Sequence, residues 1–246
     1  MTNVPLAQDG VSIVVGGIFN PAIFSPDWLL REALIDGSTY TSMTETVLTP
    51  NFTSLRVGDI AIQVTREAFQ VATSHADEFE RARDLAVGIL RLLSHTPIAV
   101  LGINRHFHIK ADSDVIWHAI GDAIVPKAAW ASVLDLPGMR SAVLWGARPD
   151  NHAGRVQVQI EPSVAIPYGI FVSQNDHYDL YDLVERPSVR TQLPLPGEPT
   201  SQTPTADKIS VAVTMLKTKW ADSMSRADHV VETVWTLRQE HPNDSR

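Results

Sequence analysis

The chain contains no cysteine among its 246 residues. Without thiols, it cannot form disulfides, thiolate zinc sites or iron–sulfur clusters, and it has no cysteine nucleophile. Its stability must therefore come from a packed core, and the length is sufficient for one large domain or two smaller ones. A hydrophobic content of 44% and a charged content of 20% are typical of a globular protein.

Positive charge is scarce. The 20 Lys and Arg residues are outnumbered by 28 Asp and Glu residues, which gives a formal net charge of −8. Binding to a polyanion requires concentrated positive charge that displaces counterions from phosphates. The charge balance therefore disfavours nucleic acids and anionic membranes as main partners.

Long apolar runs are missing as well. No uncharged apolar stretch approaches the roughly 20 residues that a bilayer-spanning helix needs. The apolar run VSIVVGGIF at 11–19 has no basic residue ahead of it and no small-residue cleavage site after it. It is predicted to be a first strand rather than a signal peptide. We expect a cytoplasmic protein without a membrane partner.

The common catalytic motifs are also absent. The sequence has no GxSxG, GxxxxGK[ST], GxGxxG or HExxH pattern, and Gly16-Gly17 lacks the third glycine of a dinucleotide fingerprint. No catalytic residue, cofactor or metal is therefore predicted. A catalytic triad assembled from dispersed Ser, His and Asp residues stays open, because such triads have no fixed spacing.

What the chain does have is one order of elements that occurs twice. The β-branched runs at 11–20 and 98–104 each end in Gly-Ile and then Asn, and each is followed by a serine-capped short helix starting after Ser25 or Ser113. Three predicted strands and a longer helix follow in each half. The predicted strands are 44–57, 59–66 and 68–74 in the first half, and 139–147, 155–161 and 168–174 in the second.

This order predicts an α+β fold of duplicated β-α-β-β-β-α units, with mostly antiparallel, curved sheet and helices on one face. The layout resembles TATA-binding-protein-like and helix-grip folds, a resemblance that carries no function with it. Four parts are predicted. Residues 1–96 form a first unit, and residues 97–184 form the strands and short helix of a second unit. Residues 185–205 form a proline-rich loop, and residues 206–246 form a long C-terminal helix that completes the second unit.

The C-terminal helix is predicted to carry more apolar surface than one small sheet can cover. Its apolar residues recur at spacings of three and four from Ile209 to Val234, with one irregularity between Trp220 and Met224. The excess predicts a contact with a second copy or another protein. The predicted interface residues are Trp220, Met224, Val231, Val234 and Trp235.

The stretch GINRHFHI at 102–109 offers the clearest candidate site. In a strand, Asn104, His106 and His108 share one face, opposite the apolar residues and Arg105. Two histidines at this spacing can share a metal, but no third ligand is local. The polar face of a half-exposed sheet explains the same pattern. If the halves meet about a twofold, Asn20 occupies the place equivalent to Asn104, and this seam is the predicted ligand site.

A second polar stretch, NDHYDLYDL at 175–183, places three aspartates three residues apart. Carboxylates are favourable near a helix N-terminus, so this spacing predicts a solvated acidic helix start. No twelve-residue calcium loop surrounds the aspartates. The stretch therefore supplies no predicted metal site.

These observations predict a non-enzymatic assembly or adaptor protein that acts through contacts of its C-terminal helix. The alternative is a small-molecule-binding or metal-dependent enzyme that uses the face bearing His106 and His108. The stretches NPAIFSPDWL and GINRHF resemble segments of bacterial proteins without an assigned activity, and this resemblance implies none for the chain.

Overall fold

A computed structural model describes residues 4–43, 45–150, 152–181 and 204–239. These residues form an α+β protein in which nine strands make one antiparallel, curved sheet. The α+β class and the antiparallel sheet agree with the sequence. The predicted loop at 185–205 lies almost entirely outside the described residues, as does the end of the predicted C-terminal helix after 239.

Alternating apolar residues produce the strands. The strands of the first half are β1 (Leu6–Gly17), β2 (Thr46–Leu48), β3 (Phe52–Val57), β4 (Ile60–Thr65) and β5 (Ala68–Thr73). Those of the second half are β6 (Ile98–Lys110), β7 (Ala142–Ala147), β8 (Gly154–Pro162) and β9 (Gly169–Asp179). The single strand predicted over 44–57 is in fact the hairpin of β2 and β3, because the turn around Pro50 reverses the chain.

The described residues also form six α-helices. They are α1 (Pro26–Arg31), α2 (Gly37–Ser42), α3 (Phe79–Leu92), α4 (Asp114–Ile124), α5 (Thr205–Thr218) and α6 (Trp220–Thr236). The predicted caps are confirmed, since Ser25 Oγ accepts the Trp28 amide at 3.1 Å and Ser113 Oγ accepts the Ile116 amide at 3.3 Å. Helix α1 is short, with six residues.

The strand order is β2-β3-β4-β5-β1-β6-β9-β8-β7. The first strands of the two halves, β1 and β6, pair antiparallel at the centre, with Ile13 opposite Ile103. On one side of this pair follow β5, β4, β3 and β2, and on the other follow β9, β8 and β7. Each half thus places its last strand next to its central strand and its earlier strands further out, but the first half has one strand more, β2.

The helices of the described chain pack on one face of the sheet. Helices α1, α3 and α5 and the start of α6 cover a core cluster on the first-half side, whereas α4 and the rest of α6 cover a second cluster built on β6, β8 and β9. The first cluster also contains Tyr178 and Leu180 from the second half. Because the two halves contribute to one core, the sheet is a single packing unit.

The predicted long helix is two helices. The backbone of Lys219, at φ −105° and ψ −2°, interrupts it between α5 and α6, directly before the irregular apolar spacing at Trp220. Helix α5 contributes Ile209 and Leu216 to the first cluster, and α6 contributes Ala227 to the second. The apolar stripe passes from the first cluster to the second within α6, between Met224 and Ala227.

The predicted interface side chains lie inside this core. Trp220, Val231, Val234 and Trp235 are at most 5% exposed, and Met224 is partly buried against the first cluster. The sheet is wider than the single small sheet assumed from the sequence, so the chain covers its own stripe. These side chains consequently do not form the surface that the sequence predicted for a partner.

Candidate functional site

The side of the sheet opposite the helices, here called the open face, carries three of the four residues predicted for a ligand site. Strand β6 buries Arg105 and Phe107 on the helix side. The alternation of the strand then turns Asn104, His106 and His108 to the open face, as predicted. The pairing of β6 with β1 and β9 places them near the middle of the sheet.

A row of polar side chains crosses the open face. In register, Ser12 lies opposite Asn104, Asn104 opposite Asn175, Asn175 opposite Gln157, and Gln157 opposite Trp145. These five residues are called the polar row. Asn104 Nδ2 donates to Ser12 Oγ at 3.2 Å, and Trp145 Nε1 donates to Gln157 Oε1 at 2.6 Å. None of the five carries a charge, so the row offers neutral donors and acceptors.

Two oxygens of the polar row are buried without a partner. Among the described residues, neither Asn104 Oδ1 nor Asn175 Oδ1 accepts a hydrogen bond. Both lie over Gly102, where an added Cβ would be 3.5 Å from the first oxygen and 3.6 Å from the second. A buried oxygen without a donor costs about 1–3 kcal/mol. The two amides therefore favour any group that brings a hydrogen-bond donor to them.

The histidines of the open face are held in their neutral form. Burial lowers the pKa of His106, against the opposing charge of Asp9, and burial also lowers the pKa of His108. Burial, aided by the charge of Arg155, lowers the pKa of His177 from 6.5 to about 4. Neutral imidazoles offer one donor and one acceptor each, so these rings add uncharged polar groups to a face that also carries the charged Arg155.

Neighbouring groups hold the side chains of His106 and His108 in place. His106 lies over Gly10, where an added Cβ would collide with its Nε2. His108 Nδ1 is 2.8 Å from Ser163 Oγ, and its ring lies 5.1 Å from that of Phe171. In the described part of the chain, no group of three or more His, Asp or Glu side chains is placed to hold a metal ion.

Asn20 is not part of this site. It caps the turn at Pro21–Ile23, where its Oδ1 accepts the Ala22 amide at 3.2 Å. Asn104, in contrast, lies in the middle of β6 and pairs with Ser12, well before the end of β1. The prediction that the two asparagines occupy equivalent positions is wrong, because β6 extends beyond its apolar run into the polar residues that follow.

Two of the aspartates predicted to start a helix, Asp176 and Asp179, lie in β9, and Asp182 lies outside the described residues. Strand β9 turns Asp176 to the helix side, where it is fully buried. Arg148 Nη1 donates to it at 3.1 Å, and Arg226 of α6 lies 3.4 Å away. The sequence could not show this, because the arginines that neutralise Asp176 come from a loop and a helix distant in the chain. Their role is to join sheet and helix.

The outer edge of the second half exposes apolar side chains. Val143, Leu144 and Trp145 of β7 are each half exposed, although they alternate between the two faces of the sheet. The segment before β7 also exposes large apolar side chains, namely Trp130, Val133, Leu134 and Leu136. Strand β7 is called the edge surface. We predicted β7 only as a strand of the repeat and did not predict its exposed apolar side chains. The uncharged run AVLWGA at 142–147 is the sequence signal that could have indicated them.

A cavity of about 160 Å³ lies beside α4 and the ends of β8 and β9. Trp117, Ile120 and Met139 line its apolar part, and His118 and Lys127 lie at its polar end. Lys127 Nζ forms a 2.6 Å ion pair with Asp122, so its charge is already neutralised.

Comparison with known proteins gave no match, either to a protein-family model or to a curated protein. In the described ranges, no helix is both long enough and apolar enough to cross a membrane.

Proposed function

We propose that the chain is a non-enzymatic assembly or adaptor protein that acts through protein contacts of its edge surface. The C-terminal helix, which the sequence favoured for this contact, is occupied by the chain's own core. The edge surface takes its place in the proposal, because it combines exposed apolar side chains with a sheet edge.

The observation that supports this function is the exposure of β7 on both of its faces. Val143 and Trp145 point to the open face and Leu144 to the helix side, and all three are about half exposed: 52%, 50% and 54%, respectively. An unpaired edge strand offers backbone donors and acceptors to another chain. Large apolar side chains gain on the order of 1.5–3 kcal/mol each on full burial. The edge surface therefore favours a protein partner.

The proposal also includes an internal duplication, a protein partner and a cytoplasmic location. Two units, 1–96 and 97–240, related by duplication and laid out like TATA-binding-protein-like and helix-grip folds, would account for the matching positions of β5, β4 and β3 and of β9, β8 and β7, with β2 as an addition to the first unit. A net charge of −8 favours a protein partner over nucleic acid. The absence of cysteine is compatible with a cytoplasmic, bacterial protein.

Site-directed photo-crosslinking tests the function. A photoreactive side chain at Val143 is expected to crosslink the chain to a discrete protein in cells that produce it, because this position lies on the edge surface. The matched control is Val47 on β2, which is 50% exposed at the opposite sheet edge. No protein adduct at Val143, or equal adducts at both positions, contradicts the proposal.

A second candidate function is binding of a neutral small molecule on the open face. It is supported by the unpartnered oxygens of Asn104 and Asn175, which favour a ligand with hydrogen-bond donors. Amide side chains can both donate and accept, as hydroxyl groups do, and Trp145 supplies a ring at the end of the row. The chemistry matches a sugar or a similar polyhydroxylated compound.

Titration of the protein with neutral sugars tests this second function. The side-chain NMR signals of Asn104 and Asn175 are expected to shift, because ligand hydroxyls would donate to their oxygens. Signals of Gln63, on the open face of the first half, serve as the control. Unchanged Asn104 and Asn175 signals at ligand concentrations of about 10 mM exclude binding of useful affinity.

A further inference from the structure

The cavity beside α4 is bounded by three parts of the second half of the chain. One wall is α4 itself, and the others are residues 136–139 and the ends of β8 and β9 at Pro162 and Ile170. The volume of about 160 Å³ is close to that of a protein cavity that holds one benzene molecule, which is on the order of 150 Å³. The space is therefore sufficient for one small ring compound.

Two glycines leave this space open. Gly121 lies in α4 one helical turn after Trp117, so both residues lie on the side of the helix that lines the cavity. A Cβ added to Gly121 would meet nothing within 4 Å beyond its own part of the helix, and a Cβ added to Gly138 in residues 136–139 would also meet nothing. Glycine is less favourable than alanine inside a helix. The sequence therefore keeps the cavity open at a cost in helix stability.

The lining of the cavity suits an apolar ring. Trp117 Nε1 donates to the Gly169 carbonyl oxygen at 3.0 Å, so the polar atom of this indole is already satisfied. The rings of Trp117 and His118 lie edge to face, with their centroids 4.8 Å apart. Aromatic rings pack favourably on one another in this way, and the thioether of a methionine such as Met139 also contacts rings favourably. The cavity therefore favours an aromatic molecule.

The polar groups of the lining disfavour a charged ligand. Lys127 Nζ is 2.6 Å from Asp122 Oδ1 and 3.5 Å from His118 Nδ1. Glu161 already accepts a hydrogen bond from Gln159 Nε2 at 2.9 Å. Moving a charge from water into an apolar site that offers it no unpaired partner is unfavourable. The imidazole of His118 can instead exchange a hydrogen bond with an uncharged hydroxyl or N–H group.

We propose that this cavity binds one small, uncharged aromatic molecule, such as a phenol or an indole. The ring of the ligand lies against Trp117 in the open space at Gly121, and its polar group lies at the end that bears His118. The inference is independent of the proposed function, because the cavity shares no residue with the edge surface or the polar row.

Titration of the purified full chain with phenol tests the inference. The NMR signal of the Trp117 indole N–H is expected to shift saturably, with a dissociation constant on the order of 1 mM or below. Benzoate and benzylamine carry a charge on the same ring and are expected to bind at least tenfold more weakly. Equal binding of the three compounds, or no shift with phenol at about 10 mM, overturns the inference.

A variant that fills the cavity locates the binding. Gly121→Leu places a side chain in the open space and is expected to weaken phenol binding at least tenfold. Its thermal unfolding midpoint should stay the same or rise, because leucine favours a helix more than glycine does. The matched control is Gly37→Leu, since Gly37 is an exposed glycine of α2 where an added Cβ also meets nothing within 4 Å. This control should retain the wild-type affinity.

Filling the cavity from a second wall makes the test independent of α4. Gly138→Leu adds its side chain from residues 136–139 and is expected to weaken phenol binding as Gly121→Leu does. This variant decides alone if Gly121→Leu does not fold. Wild-type affinity for phenol in either folded variant overturns the cavity as the binding site, and so does an equal loss of affinity in Gly37→Leu.

Discussion

His177 shows how one residue of the open face couples the site to stability. Its ring is buried next to Arg155 and Arg148, which lowers its pKa to about 4, although Asp179 opposes the shift. In the unfolded chain its pKa returns to about 6.5. Between pH 4 and pH 6.5, the unfolded state therefore binds a proton that the folded state does not bind. The contribution of His177 to stability is complete above pH 6.5 and is lost as the pH falls toward 4.

We predict that replacing His177 reduces the acid sensitivity of the fold. From pH 7 to pH 5 the wild type should lose about 2 kcal/mol of unfolding free energy through this residue. His177→Gln keeps a neutral polar side chain and should lose correspondingly less over the same interval. Urea unfolding at the two pH values measures the difference. The control is His95→Gln, since His95 is exposed in the folded chain as well as in the unfolded one.

The two substitutions should differ in how strongly the unfolding free energy depends on pH. His95→Gln should retain the wild-type difference between the two pH values. If His177→Gln retains it too, protonation of His177 does not oppose folding, and its neutral state on the open face is not established.

At the scale of elements, the sequence predicted what depends on local periodicity. The alternation in GINRHFHI placed Asn104, His106 and His108 on one face, and Ser25 and Ser113 marked two helix starts that the structure confirms. These features depend only on neighbouring residues and on the two-residue period of a strand. They are the features that a single sequence contains.

The elements that the sequence did not predict depend on distant partners. Asp176 looks like a solvated carboxylate in the sequence, yet Arg148 and Arg226 make its burial in β9 possible. The apolar stripe of α5 and α6 looks uncovered until the width of the sheet is known. The polar row is another such case, because it takes its residues from β1, β6, β9, β8 and β7 and depends on their register.

At the scale of the whole molecule, the repeated order of elements does not make two independent bodies. The central strands β1 and β6 are paired over most of their length, from Leu6 opposite Ile109 to Gly17 opposite Ile98. Helix α5, from the second half of the sequence, packs against α3 of the first half. Removing either half would therefore expose a long strand edge and part of a shared core.

We predict that the chain unfolds in one cooperative transition. The first core cluster joins Val11 and Ile13 of the first half to Leu101, Ile103 and Tyr178 of the second, all of them fully buried. Domains that share a core lose their packing together, and probes of different parts then report the same midpoint. Native-state hydrogen exchange should give β4 in the first half and β9 in the second the same free energy of opening.

A core substitution separates this expectation from independent folding of the two halves. Ile62→Ala in β4 removes a fully buried side chain from the first half and should cost about 2–5 kcal/mol. In a cooperative molecule this cost lowers the opening free energy of β9 by the same amount as that of β4, although β9 does not contact the substituted residue. If β9 keeps its wild-type protection while β4 loses its own, the halves open separately and the sheet is not one folding unit.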